Sequence, residues 1–319
     1  MEQKPLVSFI IPTYNLPNQM LRDCIESIFA LSITEQEREV IVVDDGSDYS
    51  PLPSLSDFAD KIIFVHQENL GLSMARNRGL QIATGDYIQF VDGDDMLVTN
   101  IYEHCLDIVR SHKPDMVMFD FCRKNTKMNT YEDLPLISGK DLMYYHNIKA
   151  SVCAYIFKAT ALKNLRFTSG IYHEDEEFTP QLLLNMDVVA RTNATAYYYR
   201  IREDSITTAR NLRKTLKRLD DLKSVIYKLD ARCSTLKVHF ERLALQRRVH
   251  QLVMDYIYHI IVETRSRKFL NRQLKELQTH DLYPLPNKNY TYKYKWFRML
   301  LSTKIGKNLL FIMLCSVPK

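Results

Sequence analysis

Tyr87-Ile88-Gln89-Phe90-Val91-Asp92-Gly93-Asp94-Asp95 passes from a short apolar run directly into a tight acidic turn. Aromatic and β-branched residues suit a buried, pleated strand, while Asp and Gly favour the turn that ends it. Gly85-Asp86 bounds the run on its other side, so the stretch is predicted to be a sheet strand carrying three carboxylates at its carboxyl end. Carboxylates held this close repel one another unless something positive lies between them. A divalent cation is one such group, because hard metals take oxygen ligands and keep positions open for substrate phosphates. Turn chemistry alone also produces acidic turns, so the neighbouring segments have to decide.

Outward from that strand, apolar runs alternate with helix-period segments, the pattern of helices covering both faces of a mostly parallel sheet. Val7-Ser8-Phe9-Ile10-Ile11-Pro12 reads as the first strand, followed by Leu21, Ile25, Ile28 and Phe29 at helical spacing. Glu39-Val40-Ile41-Val42-Val43 is a second buried strand, closed by the turn Asp44-Asp45-Gly46-Ser47. A third strand is expected at Ile62 to Val65, a helix over Met74 to Ile82, another over Thr99 to Ser111, and a fifth strand at Met116 to Phe119. Open α/β sheets bind ligands at the carboxyl ends of their strands, where Asp44, Asp45 and the Asp92–Asp95 turn would gather. Tyr14, at the end of strand one, offers a face on which a nucleobase can stack.

The chain has 319 residues, 46% of them hydrophobic and 25% charged, ordinary values for a globular protein and long enough for one large α/β domain with an extension. Its formal net charge of +5 is concentrated late in the chain, which suggests an anionic partner for the tail, a membrane surface or a polyanionic acceptor. A nucleic-acid partner is not expected. The six cysteines form no C-x-x-C pair and read as buried thiols. The amino terminus enters a strand-like run without a basic-then-apolar leader, from which a cytoplasmic protein is expected. After Ser205 long, charged, helix-prone segments run to Gln278, and Pro284 and Pro286 separate them from a basic, aromatic last segment. There Trp296, Phe297, Met299, Leu300, Leu301, Ile305, Leu309, Leu310, Phe311 and Ile312 suit either a membrane interface or packing on the body or on a second subunit.

Four segments in order, Ile10-Ile11-Pro12-Thr13-Tyr14-Asn15, Val42-Val43-Asp44-Asp45-Gly46-Ser47, Asn69 to Gly79 and Asp92-Gly93-Asp94-Asp95, resemble the family 2 glycosyltransferases. The resemblance extends over residues 7 to about 205. It implies the α/β fold called GT-A (a Rossmann-like, mostly parallel sheet), with a catalytic domain over 1–208 and a helical extension over 209–319. It also implies an inverting transfer of sugar from a nucleotide diphosphate donor, UDP-linked by expectation, to a saccharide or lipid-linked acceptor, with Mn²⁺ or Mg²⁺. By that resemblance Tyr14 and Asp45 hold the base, with Asp44 beside them, and Pro12, Arg76, Gly93 and Asp95 lie against the donor. Asp92 faces the ribose and Asp94 is the metal-binding aspartate. Thr13 and Asn15 are explained equally well by backbone geometry.

Further on, Tyr172-His173-Glu174-Asp175-Glu176-Glu177-Phe178 sets four acids at the start of a helical pattern, where the helix dipole alone would favour them. The resemblance makes Asp175 the general base, which would take the acceptor's proton as its oxygen attacks the anomeric carbon. Asp45, Asp94 and Asp175 are then expected to meet around one cation in a single cleft. Arg200 or Arg202, in the aromatic strand that leads to Ser205-Ile206-Thr207, is expected either at the diphosphate or in a surface ion pair. Two other readings stay open: a nucleotidyltransferase, which the lack of a glycine-rich phosphate loop after Ile11 disfavours, and a catalytically silent binding or scaffold protein.

Overall fold

The computed structural model describes residues 4–123, 130–201 and 211–316. Its strands are β1 (Val7–Thr13), β2 (Arg38–Asp44), β3 (Ile63–His66), β4 (Tyr87–Phe90), β5 (Met96–Leu97), β6 (Met116–Met118), β7 (Phe121–Cys122), β8 (Asp133–Ile137), β9 (Tyr155–Lys158), β10 (Val189–Thr192) and β11 (Tyr197–Tyr198). Eight form one sheet in the order β3-β2-β1-β4-β9-β6-β10-β8, and β5, β11 and β7 form a small second sheet. β1, β2, β3 and β4 are mutually parallel, as the sequence pattern predicts. β9 enters antiparallel between β4 and β6, and β8 runs antiparallel to β10 at the edge, so the sheet is mostly rather than wholly parallel.

The helices in the chain up to Leu183 are α1 (Asn18–Phe29), α2 (Leu72–Ile82), α3 (Thr99–His112), α4 (Gly139–Tyr145) and α5 (Glu174–Leu183). Successive strand residues face opposite sides of a sheet, and Phe9 and Ile10 show that both sides are covered. The Phe9 ring meets Tyr102 of α3 at 6.2 Å between centroids, while Ile10 lies so close to Gly79 of α2 that a Cβ there would sit 2.2 Å from Ile10 Cγ2. Glycine at position 79 is thus what lets α2 settle on β1. All seven residues of β1 are buried, as expected of a central strand.

The chain divides into two compact units, Met1–Gly139 with Lys149–Thr208, and Lys140–Ile148 with Ala209–Lys319. The second contains α6 (Leu212–Thr235), α7 (His239–His259), α8 (Arg267–Thr279), α9 (Tyr292–Leu301) and α10 (Lys304–Cys315). α6 buries Leu222, Val225, Ile226 and Leu229, an apolar stripe at helical spacing that packs on α7. Lys140–Ile148 joins this unit because Arg247 of α7, 2% exposed, donates to the carbonyls of Met143 and His146 at 3.0 and 2.7 Å. Among the described residues no helix is long and apolar enough to cross a membrane. Cys24, Cys105, Cys122, Cys153 and Cys233 are buried free thiols, and Cys315 is half-buried.

Candidate active site

The turns that end the parallel strands are each tied down by their own acids. After β2, Asp44 is fully buried and accepts from the Ser47 hydroxyl and from His66 Nδ1 at 2.5 and 2.9 Å. Asp45 accepts from the amides of Leu70 and Gly71 at 2.9 and 2.8 Å and from Gln67 at 2.7 Å. Those three donors fix the loop 67–71 that leads into α2, whereas the oxygens of one carboxylate offer about four acceptor positions. Asn15, at φ 46°, exchanges hydrogen bonds with Asp48 and braces the same region. Tyr14 is 47% exposed beside it.

The Asp92–Asp95 turn is held from two sides. Gly93 is buried where a Cβ would meet Leu16 Cδ1 at 2.9 Å and the Pro12 carbonyl at 3.1 Å, so glycine lets the turn lie close against the end of β1. On the other side the buried Tyr197 hydroxyl accepts from the Asp92 amide at 3.1 Å and donates to Asp95 Oδ2 at 2.8 Å. The Arg200 amide donates to Asp95 Oδ1 at 2.8 Å, and the Arg200 guanidinium pairs with Asp23 at 2.9 Å. Burial pushes the Asp95 carboxyl up to about 8, with Asp92 and Asp94 adding to the rise and the two donors opposing it. Asp95→Ala would strand the Tyr197 hydroxyl and the Arg200 amide, an expected loss of ~1–3 kcal/mol of stability. Urea unfolding measures it, and an unchanged midpoint would show these bonds to be energetically idle.

At the centre lies Arg76, on the second turn of α2 and 2% exposed. Its Nη2 donates to Asp92 at 3.0 Å, and its Nη1 donates to Glu174 at 2.8 Å and to Asp175 at 3.1 Å. The planar guanidinium fork suits such a fan of carboxylates better than a lysine would. Its flat face lies over the rings of Phe90 and Phe167, 5.9 and 5.6 Å from their centroids. Phe167 in turn stacks on Phe178 of α5 at 4.0 Å, and Asn77 clamps the Phe167 backbone through two bonds of 2.9 Å. These contacts bring the first turn of α5, and with it Glu174 and Asp175, to the end of β4.

The positive group that the clustered acids require is therefore a side chain of the protein itself, and it joins two of the expected loops. Asp45 faces the 67–71 loop rather than this cluster. Burial raises the Asp175 carboxyl to about 8; Arg76 opposes the rise, while Glu174 and Asp92 add to it. The Val152 amide reaches Asp175 Oδ2 over a long 3.3 Å. Beside these groups opens a cavity of about 150 Å³ lined by Asp92, Asp95, Ser151, Cys153, Tyr197 and Tyr199, with Phe121 and Arg123 at its edge.

Among the described residues no three or more His, Cys, Asp or Glu side chains converge to hold an ion by themselves. Asp92 is committed to Arg76 and Asp95 to Tyr197 and the Arg200 amide, with Asp94 half-buried between them. The arrangement fits a cation bound through one protein carboxylate together with substrate phosphates, and does not fit a closed cage of carboxylates from three loops.

Ser151, Cys153 and Phe121 carry no site signal in the sequence. Ala150 to Phe157 carries no turn signature or helical period that would mark it as the strand beside the acidic turn. Tyr197 lay in a noted aromatic run, but its grip on Asp92 and Asp95 spans more than a hundred residues of sequence. Arg202 and the Ser205-Ile206-Thr207 segment lie outside the described residues.

Residues 8–164 match the family model described as Glycosyl transferase family 2. The chain is 27% identical over 222 residues to the uncharacterized glycosyltransferase YibD of Escherichia coli (strain K12), an alignment covering 63% of each protein. It is 29% identical over 210 residues to the minor teichoic acid biosynthesis protein GgaB of Bacillus subtilis (strain 168), covering 62% of this chain and 23% of that protein. The chain thus matches less than two thirds of the length of these relatives. A crystal structure of S. aureus TarS 1-349 in complex with UDP-GlcNAc superposes with a TM-score of 0.67 at 18% identity, over 97% of this chain and 89% of that one. At that identity the likeness speaks for the fold, which is GT-A. With the sequence match running from β1 past β9, and the acidic turn between them built as described, residues 8–164 form a glycosyl transferase family 2 domain.

Proposed function

We propose that the protein is an inverting glycosyltransferase that moves a sugar from a nucleotide diphosphate donor to a hydroxyl of a saccharide or lipid-linked acceptor in polysaccharide biosynthesis. The observation that carries this reading is the Arg76 cluster, which sets Asp92 and Asp175 on one guanidinium beside an open cavity. In this reading the exposed Tyr14 stacks on the base, the Asp45-ordered loop borders it, and Pro12 and Gly93 let the donor approach the backbone. A UDP-sugar donor is supported by the UDP-GlcNAc held by the structurally similar TarS. GgaB, named for minor teichoic acid biosynthesis, supports a role in polymer biosynthesis.

Asp175 Oδ2, which accepts from the Val152 amide over a long 3.3 Å, takes the proton from the acceptor hydroxyl as its oxygen bonds to the anomeric carbon. The bond to the diphosphate oxygen breaks with its electron pair leaving on the phosphate, so a single displacement inverts the centre. Bound Mn²⁺ or Mg²⁺, held through Asp94, would neutralise charge developing on that diphosphate. Arg76 fixes the separation of Asp92 from Asp175 and so the distance between donor and base.

The test is turnover with a panel of UDP-, GDP- and dTDP-sugars in the presence of Mn²⁺ or Mg²⁺, followed by determination of the product's anomeric configuration. Retention of configuration, or no hydrolysis or transfer from any donor, would sink the reading. Asp94→Ala is expected to weaken metal-dependent donor binding at least ~10-fold. Calorimetry with and without Mn²⁺ reads this, and equal affinity in the variant would remove Asp94 from the metal role. We propose the cytoplasmic face of a membrane as the site of the reaction, a reading supported by the basic, aromatic last segment of the chain.

A further inference from the structure

α9 and α10 expose apolar side chains that the core does not use. On α10, Ile305 is 83%, Leu309 49%, Ile312 59% and Met313 54% exposed, while Gly306, Leu310 and Phe311 face inward. The exposed set falls at i, i+4, i+7 and i+8, one continuous stripe of the helix. α10 is therefore apolar on both sides, one packed on α9 and on the π-helical turn Ile260–Thr264, the other open. α9 packs beside it and adds Trp296 and Met299, 60% and 43% exposed. Scattered exposed apolar residues are ordinary, but a contiguous stripe of them marks an interaction surface.

Charge identifies what covers it. From Leu282 to the last residue the sequence contains no Asp or Glu, whereas Lys288, Lys293, Lys295, Arg298, Lys304 and Lys307 are spread through it. A second copy of the same surface would bring like charges together. An anionic lipid surface takes up both the lysines and the apolar stripe. α10 has twelve residues, about 18 Å of helix, against the ~30 Å of a bilayer's hydrocarbon core. It can lie in the interface but cannot span it.

We infer that α9 and α10 form a membrane-docking face that enters the headgroup region of an anionic bilayer through Trp296, Met299, Ile305, Leu309, Ile312 and Met313. The face and the acid cluster belong to different compact units, so docking is read without any turnover and stands or falls apart from the transferase reading. Trp296 is the protein's single tryptophan and reports on the face directly. Full-length protein is mixed with phosphatidylcholine vesicles with or without phosphatidylglycerol, and sedimentation and Trp296 emission are recorded.

Sedimentation with the phosphatidylglycerol vesicles is expected, weakened by salt, with a blue shift of Trp296 and protection from aqueous quencher. The variant Ile305→Ser/Leu309→Ser/Ile312→Ser, whose changes lie on exposed positions, is expected to lose at least ~10-fold in vesicle affinity while keeping the parent's circular dichroism. Lys293→Gln/Lys295→Gln/Lys304→Gln is expected to lose the preference for the anionic lipid. Unshifted emission with anionic vesicles, or undiminished binding by the serine variant, overturns the inference. So does a lipid-free dimer on gel filtration in which Trp296 is already shielded, since that would assign the face to a second copy.

Discussion

Replacing Arg76 with methionine is expected to destabilise the protein by ~3 kcal/mol at neutral pH and to abolish transfer, because it strips a part-buried carboxylate cluster of its buried counter-charge. Asp92, Glu174 and Asp175 all take hydrogen bonds from this one guanidinium, which is 2% exposed. The sign of the pH dependence separates charge from packing. Even with Arg76 present, burial lifts Asp175 from 3.8 to about 8. A carboxyl whose folded value lies above its unfolded value binds a proton on folding, so its contribution is fully present below the unfolded value and is lost as pH rises through the folded one. Arg76 opposes the rise at Asp175, so removing it widens that gap. The deficit of Arg76→Met relative to the parent is therefore expected to grow as pH rises through about 8 and to be smallest toward pH ~4, as measured by urea unfolding across that range. A deficit constant with pH would mean that the lost contacts with Phe90 and Phe167 dominate. Arg76→Lys keeps the charge but not the fork, and is expected to fall between the two.

What the sequence disclosed about this site follows from the range over which each signal acts. β1, β2 and β4 announce themselves because central parallel strands read as unbroken apolar runs ending in turn residues. Asp92 and Asp175 were legible as chemistry-bearing residues, the first by its place on a tight acidic turn and the second by resemblance. Their meeting on Arg76 was not, because the sequence pattern of α2 gives no sign of which acids its buried arginine will face. The same limit hid β9, which enters the sheet antiparallel from far along the chain and brings Cys153 to the cavity wall. Asp45 shows the opposite case. A carboxylate after a strand suggests a ligand contact, and three N–H donors from residues 67–71 give it a second task, ordering the loop before α2. Composition reports that an acid is present; only packing decides which donors reach it first.

Asp175→Asn is expected to lower transfer by ~10²–10⁴ while leaving donor affinity unchanged. Asparagine has nearly the same shape and its carbonyl can still accept from Arg76 Nη1, so the cluster keeps its geometry and loses only a group able to take a proton. The pH profile carries the sharper test. Asp175 must be ionised to act as base, and burial holds it at about 8, so kcat/KM of the parent is expected to rise with pH through that region. In the Asn variant the residual rate is expected to lack that limb. Glu174 is the neighbouring competitor, bonded to the same Arg76 nitrogen at 2.8 Å, closer than Asp175 at 3.1 Å. The tighter pairing binds Glu174's proton-accepting oxygen to the guanidinium, whereas Asp175 keeps Oδ2 turned to the segment that lines the cavity. Glu174→Gln is accordingly expected to retain the rising limb. If Asp175→Asn turns over at the parental rate and Glu174→Gln does not, the base is Glu174, and the role of Asp175 reduces to holding Arg76 in place.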